Sequence, residues 1–134
     1  MRSHIESVSI AAPAAQTYGF VADIDRLPTW AIGFAKSVDR TAEGDFVTTA
    51  GGDRVGIRLA VDPEHGVVDY VMSPQPGMES TAYTRVVDIE GASLYIFVMT
   101  QAPGMPDEVF VAQIAELKRE LTVLKAHLES ACPM

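Results

Sequence analysis

Few side chains in this 134-residue sequence have types and spacings suited to chemistry. A zinc site needs three or four closely spaced His, Cys, Asp or Glu ligands, and no such spacing occurs among the three histidines, the single cysteine and the acidic residues. No glycine-rich loop precedes a helix to cradle a phosphate, and no Gly-x-Ser-x-Gly turn presents a serine nucleophile. The sequence therefore gives no reason to expect a metal or a cofactor. What remains is one acid/base pair, one phenol and one guanidinium. His4 and Glu6 share strand parity and form a proton-transfer pair if both face inward, or are simply exposed in a frayed first strand. Tyr70 carries a hydroxyl that needs a partner when buried, either a protein carbonyl or a ligand oxygen. Arg85 on an inner face would need an anion or several acceptors. His65 lies in a turn, and His127 sits near the end of the last helix, where a cation suits the dipole.

The elements that position these groups follow from composition and periodicity. Hydrophobic residues at 48% and charged residues at 21% describe one globular domain over residues 1–134. A net charge of -8 repels a phosphate backbone, so nucleic acid is not an expected partner. The opening Met1 to Glu6 lacks the apolar stretch of a secretion signal. The most apolar run, Leu94 to Met99, is far short of the roughly 20 residues that span a bilayer. Cys132 has no disulfide partner, which fits a reduced cytoplasm.

Ser7 to Ile10 reads as a strand running into Pro13, a proline preorganised for a first helical turn. A short helix ends near Asp23 to Asp25, where an Asp can cap a second one through Trp30. From Phe34 to Gln101 the period shifts to two, with turn signals bounding about six strands. Val55, Ile57, Leu59 and Val61 alternate with polar or small residues and form a buried face. Folding back at Pro63 to Gly66 adds Val68, Tyr70 and Met72 to it. Pro106, Asp107 and Glu108 then start a long helix. Its apolar stripe is Phe110, Ile114, Leu117, Leu121, Leu124 and Leu128, opposite Glu116, Lys118, Arg119, Glu120 and Lys125. The class is α+β, with a curved seven-stranded antiparallel sheet and a hollow between the sheet and its last helix.

Parity leaves the last hairpin ambiguous. If Ile89 pairs with Ala92, Tyr83, Arg85, Val87, Leu94, Ile96 and Val98 share one face, while Thr84, Val86, Asp88, Tyr95, Phe97 and Met99 share the other. Asp88 and Ser93 mark the second set as the wet one, which turns Tyr83 and Arg85 inward. Arg85 would then clamp a ligand carboxylate or enolate, pair with Glu6, or, on the other parity, be exposed.

Ile10 to Pro13, Phe20 to Asp23 and Leu27 to Trp30 resemble the opening of the polyketide cyclase, dehydrase and lipid-transfer superfamily, which includes START-like domains. The Pro103-Gly104-Met105 lead into the last helix is also similar to its bacterial members. The resemblance covers the whole chain and implies a helix-grip fold with an internal cavity, Trp30 lying near its mouth or plugging its core. The expected function is binding of a small apolar or aromatic molecule by Trp30, Phe34, Leu59, Tyr70, Met72, Tyr83, Arg85 and Phe110. Two alternatives stand beside it. One is a cyclase- or dehydratase-like enzyme in which Arg85 or Tyr70 stabilises oxyanion charge. The other is a protein-interaction module with a collapsed cavity, like the superfamily's chaperone activators. Val109, Val111 and Val123 either widen the core face of the last helix or support a homodimer.

Overall fold

Alternation of inward and outward side chains organises most of the chain, and a computed structural model describes residues 2–131 of it. The redox expectation placed on Cys132 lies outside the described residues. Strand β1 (Ser3–Ile10) exposes Ser3, Ile5, Ser7 and Ser9 and turns Val8 and Ile10 inward. It leads into α1 (Ala14–Val21), whose start is set by Pro13. Asp23 then accepts a bond from the Asp25 amide at 3.1 Å, capping a single 3-10 turn that continues into α2 (Leu27–Trp30).

Six strands follow: β2 (Ala35–Thr41), β3 (Gly44–Thr49), β4 (Arg54–Asp62), β5 (Val67–Gln75), β6 (Met78–Ile89) and β7 (Ala92–Thr100). All neighbours pair antiparallel in the order β1-β7-β6-β5-β4-β3-β2, so β1 and β2 form the two edges. The chain crosses from one edge to the other through α1 and α2. The fold is a helix grip in the α+β class: α3 (Asp107–Ala131) lies on the inner face of the sheet. It buries Phe110, Leu117, Leu121, Leu124 and Leu128, each such side chain contributing about 1.5–3 kcal/mol relative to exposure. Among the described residues, no helix is long and apolar enough to cross a membrane.

The β4–β5 hairpin has the register expected from its turn, with Asp62 opposite Val67, Leu59 opposite Tyr70 and Ile57 opposite Met72. Gly66 closes that turn at φ 71°, and a Cβ there would overlap the carbonyl of Val86. Val61 departs from the expected buried face: it is 51% exposed, although its cross-strand partner Val68 is buried.

The β6–β7 register is also as expected, Ile89 opposite Ala92, but the inner face is the other one. Ala82, Thr84, Val86 and Tyr95 are buried, while Tyr83 and Arg85 project outward. The cause is a bulge in the β5–β6 hairpin. Pairing begins with Gln75 opposite Met78, a register that would set Tyr70 opposite Tyr83, and then shifts so that Met72 meets Ser80 and Tyr70 meets Ala82. One extra residue reverses every side chain beyond it. Ser93, read as a water-facing residue, is buried: its hydroxyl donates to the Ala12 carbonyl at 2.9 Å and lies 2.8 Å from the Thr17 hydroxyl, tying β7 to α1. Asp88, exposed near the end of β6, accepts from the Gly91 amide of the turn. On α3, Val123 packs against the core while Val109 and Val111 are exposed.

Candidate functional site

The space between sheet and α3 is a cavity of about 420 Å³. Its deep wall is aromatic. The Trp30 ring meets that of Tyr95 edge-on at 6.2 Å and that of Tyr70 at 6.5 Å, and Tyr70 stacks on Phe97 at 6.5 Å. Ile57 of β4, Met72 of β5, Ala82 of β6, Met99 of β7 and Phe34 extend the apolar lining, and exposed Pro74, Ser80, Ala102 and Gln113 form its rim. Helix α3 contributes Gln113, Glu116, Leu117 and Glu120, which are spaced three and four apart and therefore share one face.

Of the expected site residues, Trp30, Phe34, Tyr70 and Met72 come together on this wall. Trp30 combines both readings offered for it, since it is 2% exposed in the core and presents its ring to the cavity; its indole N–H has no partner. Four residues do not reach the cavity. Leu59 packs against the core one step beyond Ile57, toward the Pro63 turn. Phe110 is buried one turn before Gln113, under the Arg2 guanidinium at 5.2 Å. Tyr83, half exposed, and Arg85 stand on the outer face because of the bulge. The Arg85 Nε donates to the His65 carbonyl at 3.3 Å, and Arg85 pairs neither with Glu6 nor with anything in the cavity.

His4 and Glu6 do face inward, opposite Met99 and Phe97, and bond to each other at 2.8 Å. They are not part of the cavity wall. The Tyr70 hydroxyl donates its only proton to the Val21 carbonyl and lies 3.5 Å from the Tyr95 hydroxyl. Burial pushes both phenols well above their ordinary pKa, so both stay neutral.

A buried carboxyl group also lines the cavity, and it is one that the reading of α3 placed on its wet side. Glu120 is 8% exposed. Its Oε2 accepts the amides of Gly33 at 3.1 Å and Phe34 at 3.2 Å, in the segment that joins α2 to β2. The Glu116 side chain packs against the same segment, where a Cβ at Gly33 would overlap it. Burial pushes the Glu120 carboxyl up to about 7, the like charge of Glu116 adds to the rise, and the two amides and Arg119 oppose it. The signal for its placement is in the spacing: Glu120 follows Leu117 by three and precedes Leu124 by four.

The sequence profile for polyketide cyclase / dehydrase and lipid transport proteins matches residues 1–129. The chain belongs to this family. No curated protein sequence matches it. Among solved structures, a Bacillus thuringiensis protein shares 18% identity at a TM-score of 0.76, covering 95% of this chain and 98% of the other. The Zhui aromatase/cyclase of a Streptomyces species shares 19% at a TM-score of 0.70, covering 96% and 93%. A START superfamily protein from Mycobacterium smegmatis shares 12% at a TM-score of 0.69, covering 97% and 99%. At these identities the likeness is one of fold, and this member of the polyketide cyclase / dehydrase family must be read through its own cavity.

Proposed function

We propose that this family member binds a small, mostly apolar or aromatic molecule between the sheet and α3. The observation that carries this reading is the cavity of about 420 Å³, whose walls are mainly aromatic and aliphatic. Ligand pockets commonly enclose about 300–1,000 Å³ and use a few polar groups for orientation. Apolar burial at about 25 cal/mol per Å² then supplies the affinity. A hollow of this size counts against an interaction module with a collapsed interior. The cyclase-like alternative loses both of its oxyanion partners, since Arg85 is on the outer face and the Tyr70 proton is committed to Val21. A single cysteine in the sequence suits a reducing compartment such as the cytoplasm. A homodimer through exposed Val109 and Val111 is a further element of the proposal, read by sedimentation.

Trp30, the only tryptophan, makes the binding reading directly measurable. Titration with 1-decanol should change Trp30 fluorescence saturably, and Ala82→Phe, which fills the cavity from β6, should abolish the change while leaving circular dichroism intact. An unchanged wild-type spectrum, or equal binding by the filled variant, would overturn it.

A further inference from the structure

The cavity has a polar end of one sign. Its charged lining residues are Glu116 and Glu120, and no Lys, Arg or His lines it among the described residues. Glu120 is more than nine-tenths buried, and both of its hydrogen bonds fall on Oε2. Its Oε1 therefore keeps its acceptor capacity at the wall of an apolar hollow. The groups around it do not neutralise it. The α2–β2 segment offers two backbone amides, the sheet offers the neutral phenol of Tyr95, and α3 offers Arg119, whose guanidinium is already bonded to Glu116. A buried carboxylate with an unused oxygen is matched by a cationic donor and repels an anion.

We propose that the cavity selects apolar molecules bearing a protonated amine, which bonds to Glu120 Oε1, and rejects apolar carboxylates such as fatty acids. This deepens the binding reading above and rests on it. The carboxylate is fixed in place by Gly33 and Phe34 before any ligand arrives, so the ion pair forms without reorganising the protein. A fatty acid of the same length would bring a second carboxylate against Glu120, which has no ion-pair partner of its own among the described residues.

The test is calorimetric titration at pH 8 with decylamine, 1-decanol and decanoate, which share a chain length and differ only in the head group. Decylamine should bind at least about tenfold more tightly than 1-decanol, a difference within the usual strength of a charge-assisted hydrogen bond, and decanoate more weakly than either. In Glu120→Gln, whose amide oxygen still accepts the two backbone bonds, the amine preference should vanish while 1-decanol affinity stays within about twofold. Retained 1-decanol binding also shows that the variant is folded. Decanoate binding as tightly as decylamine, or an amine preference that survives in Glu120→Gln, would overturn the inference and leave the cavity reading intact. Failure of 1-decanol to bind the wild-type protein would overturn both.

Discussion

Glu120 makes stability depend on pH in a direction opposite to that of a salt-bridged carboxylate. Folded, it holds its proton up to about 7, whereas the ordinary glutamate value is 4.5. Between those values the folded state binds more protons than the unfolded chain, so its contribution is fully present below about 4.5 and is lost as pH rises to about 7. The gap corresponds to about 3 kcal/mol. Urea unfolding at pH 5 and pH 8 should show the wild type losing stability relative to Glu120→Gln, and parallel behaviour of the two proteins would contradict the placement of this carboxyl. Tyr70→Phe removes the donor to the buried Val21 carbonyl and should destabilise by about 1–3 kcal/mol, with 1-decanol affinity nearly unchanged. Arg85→Met should alter stability by less than about 0.5 kcal/mol and binding not at all, because the side chain lies on the outer face. A marked loss of binding in that variant would mean that Arg85 reaches the cavity after all.

At the scale of elements, the registers of the β4–β5 and β6–β7 hairpins were legible, whereas the faces were legible in β4 and β5 and not in β6 and β7. Turn residues set Asp62 opposite Val67 and Ile89 opposite Ala92, and alternation within β4 and β5 identified Ile57, Tyr70 and Met72 as inner residues. The bulge between Met72 and Gln75 carries no sequence mark strong enough to override simple alternation, and it decides which half of β6 and β7 is inside. Ser93 and Glu120 misled for a shared reason. Polarity suggests water, but each finds its hydrogen bonds inside, Ser93 from α1 and the Ala12 carbonyl, Glu120 from two amides of the α2–β2 segment. The cap at Asp23 and the start of α3 at Pro106 depend on local chemistry alone and were readable for that reason. Ser93→Ala should lower stability by about 1–2 kcal/mol, since it strands the Ala12 carbonyl and the Thr17 hydroxyl. Chemical denaturation measures that loss, and a neutral result would show that α1 docks through other contacts.

For the whole molecule, the order of elements fixed the architecture while the cavity depended on distances that no periodicity encodes. Because β1 and β2 form opposite edges of the sheet, α1 and α2 must carry the chain between them, and after β7 has returned beside β1, α3 closes the inner face. Half of the expected lining residues, Trp30, Phe34, Tyr70 and Met72, meet at the cavity because their parity was set by unbroken hairpins or by the α2–β2 segment itself. Phe97, Ala82 and Glu120 complete it, the first two through the bulge and the third through the face that α3 turns to the cavity. The central claim is that this space holds a small apolar molecule, and native mass spectrometry tests it most directly. The freshly purified protein, or the protein incubated with 1-decanol, should carry one extra small-molecule mass per chain that disappears on denaturation and is missing from Ala82→Phe. A bare chain under both conditions, or an adduct equally present on the filled variant, would contradict the account.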